Sequence, residues 1–280
     1  MKGYSTGDVA RILELTPRQV RAGVHAGVIE PERGPRGEYR FSFQDLIFLK
    51  TARGLFAARM PARRVRGALE KLREQLSRGR RLTGLHIAVE GRRIVVSDGE
   101  ARWQPESGQI LFDFGVADLA RRAAPVARVA FAEARQERGD TLSAEEWYRW
   151  GCELEAAAPA EAAEAYRRAL ALDPRDADAH VNLGRLVHES GDAETAREHY
   201  GRALDCRPDD ATAAFNLGVA LEDLGRPREA LAAYENALAL DPGNADAHYN
   251  AASLCERLGQ PADALRHLKD YRVLTLGRPR

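Results

Sequence analysis

The chain has 280 residues, of which 44% are apolar and 30% charged, and its 42 lysine and arginine residues equal its 42 acidic residues in number. We expect neither a membrane span nor a secretory signal, because no apolar run approaches ~18 residues and the first residues lack an apolar core. The three cysteines lie far apart and match no metal-binding or disulfide spacing, which indicates a reducing, cytoplasmic environment. Composition also excludes collagen and a wholly disordered chain.

The even balance of charge hides a strong asymmetry along the chain. Residues 1–81 carry 18 basic and 8 acidic residues, a net charge of +10. Residues 144–280 carry 16 basic and 25 acidic residues, a net charge of −9. A basic segment joined to an acidic one is typical of a module that binds a polyanion fused to a second module of different function.

The N-terminal part of the chain carries start signals for four helices. Ser5 and Asp8 are spaced as a capping box, and Thr16 is followed at once by a proline and, three positions after itself, by a glutamine. The two short helices that these signals begin have the proportions of a helix-turn-helix. The sequence ERGPRGEYRF then predicts a tight basic turn between short extended segments, as in a wing, before Ser42 and Pro61 begin two further helices.

These elements resemble the MerR-type winged helix-turn-helix over about residues 4–77. The motifs that carry the resemblance appear in the family's order: Tyr4-Ser5-Thr6-Gly7-Asp8-Val9-Ala10-Arg11, Thr16-Pro17-Arg18-Gln19-Val20-Arg21, Gly27-Val28-Ile29-Glu30-Pro31, Tyr39-Arg40-Phe41 and Asp45-Leu46. The resemblance implies that the second helix enters the major groove of duplex DNA while the wing contacts phosphates. The side chains that it places at the DNA are Arg18, Arg21, Arg33, Arg36, Tyr39 and Arg40.

A second interpretation of the same six side chains involves no DNA, with the arginines as solvated surface and Tyr39 as a core residue. Two departures from the family favour it. Ala22 and Gly23 stand where the family has an aromatic pair, and no sustained heptad pattern follows the fourth helix to form the family's dimerising coiled coil. The net charge of +10 and the intact motifs favour DNA binding. A two-fold operator then requires a dimer formed elsewhere, by the middle segment or by the repeats described below.

The middle segment, residues 82–140, is predicted as a small antiparallel β meander followed by a helical connector. Apolar residues alternate within it, and glycine-containing pairs punctuate it three times. The stretch VADLARRAAPVARVAFAEARQERG has helical spacing that we expect to break at Pro125. The pattern leaves open whether this segment is a connector, a ligand pocket or a dimerisation element.

The C-terminal half repeats with a period of 34 residues. Prolines recur at this step, as do tyrosines, asparagines and glycines: Pro174, Pro208 and Pro242; Tyr166, Tyr200 and Tyr234; Asn182, Asn216 and Asn250; Gly184 and Gly218. Each unit predicts two amphipathic helices of about 12 to 14 residues. A small residue such as Gly218 lets the two helices approach, and Tyr234 fills the space between them.

This pattern resembles the tetratricopeptide repeat over about residues 143–273, with three full units and a truncated fourth. The resemblance implies an α-solenoid whose concave face binds a peptide. The side chains that it places in this groove are Asn182, Asn216, Asn250, Phe215 and Tyr249. Acidic groove positions favour an uncharged or basic segment with apolar or aromatic side chains. The alternative role of the asparagines is to hydrogen-bond the neighbouring repeat.

We therefore predict a mainly α protein with three parts: an N-terminal winged helix-turn-helix (1–81), a small β meander with a helical connector (82–140), and a C-terminal α-solenoid of about four repeats (141–280). The sequence has no phosphate-binding loop, zinc-protease motif or nucleophile elbow, so we expect no enzyme, catalytic residue, metal or cofactor. The favoured function is a cytoplasmic, bacterial transcriptional regulator that binds duplex DNA, with repeats that bind a protein partner or self-associate. The alternative is an adaptor whose winged helix no longer binds DNA.

Overall fold

The computed structural model describes residues 3–57, 61–76, 86–90, 93–97 and 110–276. These residues form thirteen α-helices and five short strands, so the predicted mainly α class is confirmed. The chain divides into two units. The first comprises Met1–Leu142 with Trp150–Ala162, and the second comprises Ser143–Arg149 with Ala163–Arg280.

The first unit begins with two short helices, α1 (Thr6–Leu13) and α2 (Pro17–His25). Both predicted capping boxes are confirmed. The Ser5 hydroxyl accepts the Asp8 N–H at 3.2 Å, and the Asp8 carboxylate accepts the Ser5 N–H at 3.1 Å. In the second box, the Thr16 hydroxyl accepts the Gln19 N–H at 3.2 Å, and the Gln19 side-chain carbonyl accepts the Thr16 N–H at 2.8 Å. Each box satisfies N–H groups that the first turn of a helix leaves without partners, which fixes where α1 and α2 begin.

The predicted wing is a two-stranded antiparallel ribbon of β1 (Glu32–Arg33) and β2 (Tyr39–Arg40). Its turn closes with the Gly37 N–H donating to the Gly34 carbonyl at 2.8 Å. Gly37 has φ +77°, a left-handed conformation that a side chain disfavours.

Two longer helices, α3 (Phe43–Ala57) and α4 (Ala62–Leu76), follow the wing. A third capping box begins α3, since the Ser42 hydroxyl and the Asp45 carboxylate accept each other's N–H at 3.1 and 2.8 Å. The core of the module consists of fully or almost fully buried apolar side chains, among them Val9, Ile12, Val20, Ile29, Phe41, Leu46, Ile47, Leu55 and Val65.

The middle segment forms an antiparallel sheet of β3 (His86–Glu90), β4 (Arg93–Ser97) and β5 (Ile110–Gly115). The antiparallel pairing was predicted, but the order β4-β3-β5 is not that of a meander, because the first strand is central. β4 pairs with β3 over its full length and leaves the other edge of β3 open for β5. Alternating hydrophobicity identifies strands but not the edge that each strand joins, so the sequence pattern did not determine this order.

The helix α5 (Val116–Arg138) runs without interruption through Pro125, so the predicted break is wrong. Proline lacks an N–H and typically costs a helix interior ~3 kcal/mol. The helix continues because one apolar stripe anchors it on both sides of the proline. Every fourth residue of that stripe is buried: Leu119, Ala123, Ala127 and Phe131.

The C-terminal part consists of four helix pairs. Their bounds are α6 (Ala144–Leu154) and α7 (Pro159–Leu172), α8 (Ala177–Glu189) and α9 (Ala193–Cys206), α10 (Ala211–Asp223) and α11 (Pro227–Leu240), α12 (Ala245–Arg257) and α13 (Pro261–Leu276). The fourth pair is complete, with α13 16 residues long, so the predicted truncation is wrong. Consensus residues are replaced there by Ala252 and Leu268, yet the apolar spacing that maintains the helices persists.

Candidate nucleic-acid interface and repeat groove

The second helix, α2, presents two arginines to solvent. Arg18 and Arg21 are exposed, and neither has a hydrogen-bond or ion-pair partner in the part of the chain that the structure describes. On the opposite face, Val20 is completely buried and fixes the helix against the core. The fold thus holds both guanidinium groups outward with their donors unoccupied.

Gly23 packs against α3 instead of facing outward. A Cβ built on Gly23 lies 2.6 Å from Cδ2 of Leu49, which is itself almost fully buried. In the sequence, Ala22 and Gly23 stand where the family has an aromatic pair. For position 23 the structure gives a packing reason, because glycine permits the close approach of α2 to α3.

The wing arginines differ in their surroundings. Arg33 lies 4.7 Å from the centre of the Tyr39 ring and donates to the Gly37 carbonyl at 3.1 Å. Arg36 is exposed, and its guanidinium has no partner among the described residues. Arg40 is half-buried and bonded to Glu38 at 2.7 Å, and this hydrogen bond is the largest cause that lowers the pKa of Glu38. Among the three wing arginines predicted to contact DNA, Arg36 is the most available to bind a phosphate and Arg40 is the least available.

Aromatic side chains recur on the first helix of the repeats. Phe215 is half-buried and Tyr249 is 55% exposed, with rings that pack on Tyr234 at 5.7 Å and Tyr271 at 5.4 Å. Tyr148 occupies the equivalent place in the first repeat and lies 5.7 Å from Tyr166. The 34-residue period did not identify Tyr148, because the first helices of the first two repeats begin 33 residues apart, one fewer than in the later repeats.

Two of the three predicted groove asparagines form hydrogen bonds with the preceding repeat. The Asn182 amide donates to the hydroxyl of Tyr166 at 3.3 Å, and the Asn250 amide donates to the hydroxyl of Tyr234 at 3.2 Å. Asn216 occupies the equivalent position and is half-buried. These contacts favour the alternative role of the asparagines, which is to join neighbouring repeats. Contact between their amides and a peptide stays a prediction.

The repeats enclose a groove of about 410 Å³ whose lining includes Tyr148, Asn182 and three aspartates. Arg207 bonds Asp178 at 2.8 Å and lies 3.6 Å from Asp210. The hydrogen bond that Arg207 donates to Asp178 is the largest cause that raises the pKa of Arg207. With three carboxylates and one guanidinium, the groove has an excess of negative charge.

Two further observations concern the described residues alone. They contain no group of three or more histidine, cysteine, aspartate or glutamate side chains arranged to hold a metal ion. Among the helices resolved there, none combines the length and apolar character needed to cross a bilayer.

The model of the MerR HTH family regulatory proteins matches residues 4–72, and two tetratricopeptide repeat models match residues 175–243 and 215–275. Residues 4–72 are a MerR-family helix-turn-helix, and residues 175–275 are tetratricopeptide repeats. No curated protein matches this fusion.

Solved structures of MamA are among those similar to the fusion. One crystal structure of MamA has 22% identity and a TM-score of 0.48, and the match covers 52% of this chain and 84% of that one. A second, MamA AMB-1, has 25% identity and a TM-score of 0.48, covering 58% of this chain and 91% of that one. The assignment of the repeats rests on the family models.

Proposed function

We propose that this protein is a DNA-binding transcriptional regulator that acts in the bacterial cytoplasm. Its helix-turn-helix binds duplex DNA, and its repeats bind a protein partner or self-associate. The observation that carries the proposal is the outer face of α2, where Arg18 and Arg21 are exposed without carboxylate partners in the described structure. Such guanidinium groups can bond phosphates or base edges without first breaking an ion pair.

Charge supports the same proposal. Residues 1–81 carry a net charge of +10, and phosphate contacts of basic side chains supply most non-specific affinity for DNA. Arg36 adds a third available cation at the tip of the wing. Arg40 has to leave Glu38, 2.7 Å away, before it can reach a phosphate, so we expect it to contribute less than the others.

The chemistry of the repeats favours a partner with basic and aromatic side chains. Tyr249 exposes more than half of its surface on the first helix of the last repeat, and Asp246 is exposed on the same helix. The groove beside Asn182 has its own excess of carboxylates. An aromatic ring of the partner can pack on Tyr249, and a basic side chain can pair with the carboxylates of Asp246 or of the groove.

The proposal is tested by the binding of the full chain to a labelled random duplex at several salt concentrations. With roughly five phosphate contacts, log K is expected to fall with log salt with a slope of about −4 to −5. Substituting Arg18→Ala together with Arg21→Ala is expected to flatten this slope by about 2, because each lost phosphate contact removes close to one unit.

A matched control removes the same charge elsewhere. Arg121→Ala with Arg149→Ala takes away two arginines that are each bonded to a carboxylate, of Asp118 and of Glu145. This control is expected to keep the parent slope, and melting curves verify that both double variants remain folded. If the Arg18 and Arg21 double variant keeps the parent slope of log K against log salt, the proposal of a DNA-binding regulator is overturned.

The second candidate function is an adaptor that uses only its repeats. The ion pair between Arg40 and Glu38 favours the adaptor, because the family motif places Arg40 at the DNA and here a carboxylate already binds its guanidinium. The same measurement separates the two functions. A full chain without salt-dependent affinity for duplex DNA is an adaptor.

A further inference from the structure

A cavity of about 740 Å³ lies within the first unit, between α1, α5 and the C-terminal half of α6. Its volume falls in the range of roughly 300–1,000 Å³ that is typical of sites for small molecules. Apolar side chains form much of the wall, including Ile12, Val126, Trp150 and Leu154. We call this cavity the Tyr4 pocket.

The Tyr4 hydroxyl is the polar group in this wall that lacks a partner. Tyr4 is 8% exposed and lines the pocket, and its hydroxyl has no hydrogen-bond partner among the described residues. A buried hydroxyl without a partner destabilises the folded chain, and a hydrogen bond with a bound molecule removes this cost. Burial, and next the charges of Glu153 and Asp8, raise the pKa of Tyr4, so the phenol stays neutral and can both donate and accept.

The cations around the pocket already have counter-ions. Arg11 bonds Asp8 at 2.9 Å, Arg122 bonds Glu14 at 2.9 Å, and Arg40 bonds Glu38 at 2.7 Å. An anionic ligand would have to displace a carboxylate to reach any of the three. The carboxylates of the wall, Asp8, Glu133 and Glu153, have partners as well, so a cationic ligand would also have to displace one. The wall therefore suits a molecule without charge.

We propose that the Tyr4 pocket binds a small, uncharged aromatic molecule with one polar group that hydrogen-bonds the Tyr4 hydroxyl. The ring lies among the apolar side chains, next to Trp150, whose indole packs edge-on against Phe131 at 5.9 Å. The polar group provides the partner that the hydroxyl lacks.

The test uses two dyes of nearly equal shape with the full chain. N-phenyl-1-naphthylamine is uncharged, brightens in apolar surroundings and carries one N–H, whereas 1-anilinonaphthalene-8-sulfonate adds a sulfonate. We expect saturable brightening of the uncharged dye and at least tenfold weaker binding of the sulfonate. Absence of saturable brightening of the uncharged dye, or equal affinity of both dyes, overturns the proposal.

Three variants locate the bound dye. Tyr4→Phe removes only the hydroxyl and is expected to weaken binding of the uncharged dye about tenfold. Ala130→Trp fills the pocket from α5 and is expected to abolish binding, whereas Ala132→Trp, an exposed position on the same helix, leaves it unchanged.

Stability separates the role of the hydroxyl in binding from a role in folding. Without dye, Tyr4→Phe is expected to melt at the parent temperature or above it, because it removes an unsatisfied buried group. Parent affinity in Tyr4→Phe shows that the dye sits elsewhere and overturns the proposal, even where Ala130→Trp fails to fold.

Discussion

Histidine pairs join the two helices of the second and fourth repeats. In the second, Nδ1 of His180 and Nδ1 of His199 are 2.9 Å apart, and Nε2 of His180 lies 3.1 Å from the Pro174 carbonyl. Because a carbonyl only accepts, we assign the proton of His180 to Nε2, which leaves its Nδ1 to accept from His199. His248 and His267 repeat the arrangement with 3.1 Å between their Nδ1 atoms. This bonding requires the ring of His180 to be neutral, because its Nδ1 accepts.

The second-repeat pair makes stability depend on pH. Burial is the largest cause that lowers the pKa of His199 to about 4, followed by the charges of His180, Arg202 and Arg167. Burial also lowers the pKa of His180 against the raising effects of the Pro174 carbonyl and Asp176. Between the ordinary value of ~6.5 and these lower values the unfolded chain binds more protons than the folded chain, so stability falls as pH falls through that window.

We expect the urea midpoint of the full chain to decrease from pH 7.5 to pH 5, and His180→Ala with His199→Ala to reduce this decrease. The equivalent positions of the third repeat, Ala214 and Ala233, are buried alanines, so the fold accommodates the substitution. Carboxylates that titrate in the same range contribute to both proteins and cancel in the comparison. An identical pH dependence of the two midpoints would contradict the assignment.

At the scale of the helix pair, a glycine sets the spacing of the second and third repeats. A Cβ on Gly218 would lie 2.6 Å from the ring of Tyr234, which is completely buried. In contrast, a Cβ on Gly201, in α9, meets nothing within 4 Å. The same substitution therefore has opposite physical consequences at the two glycines.

We expect Gly218→Ala to lower the free energy of unfolding by about 2 kcal/mol, because overpacking exceeds the gain in helix propensity. Gly201→Ala should raise it by up to roughly 1 kcal/mol, since alanine favours the helix and nothing obstructs it. Denaturant titration of both variants measures the two effects. A stabilised Gly218→Ala would show that Tyr234 can move aside and would refute this account of the spacing.

The sequence predicted those parts of the fold that depend on local signals. The capping residues Ser5, Thr16 and Ser42 each begin a helix as expected, since a cap acts within one turn. The break expected at Pro125 failed because a buried stripe on both sides outweighs one missing hydrogen bond. The ion pair between Arg40 and Glu38 depends on the conformation of the wing, which the local sequence signals do not specify.

At the scale of the whole molecule, no sustained heptad pattern that would form a dimerising coiled coil follows α4 in the sequence. The helix α5 has 23 residues and is ~35 Å long, which is long enough to form a dimerising coiled coil. Its regular apolar stripe, however, runs from Leu119 to Phe131 and is buried within the chain. A dimer that reads two half-sites therefore has to use another surface.

We expect two chains of this protein to bind each specific duplex, because one helix-turn-helix reads one half-site and two-fold operators present two. Sedimentation of the full chain alone and with duplex DNA measures the stoichiometry. Arg18→Ala with Arg21→Ala is the control for assembly, since both side chains are exposed on α2 and their removal should weaken DNA binding without changing the mass of the free protein. A full-length monomer at high micromolar concentration that binds a single site tightly as one chain would exclude the dimer.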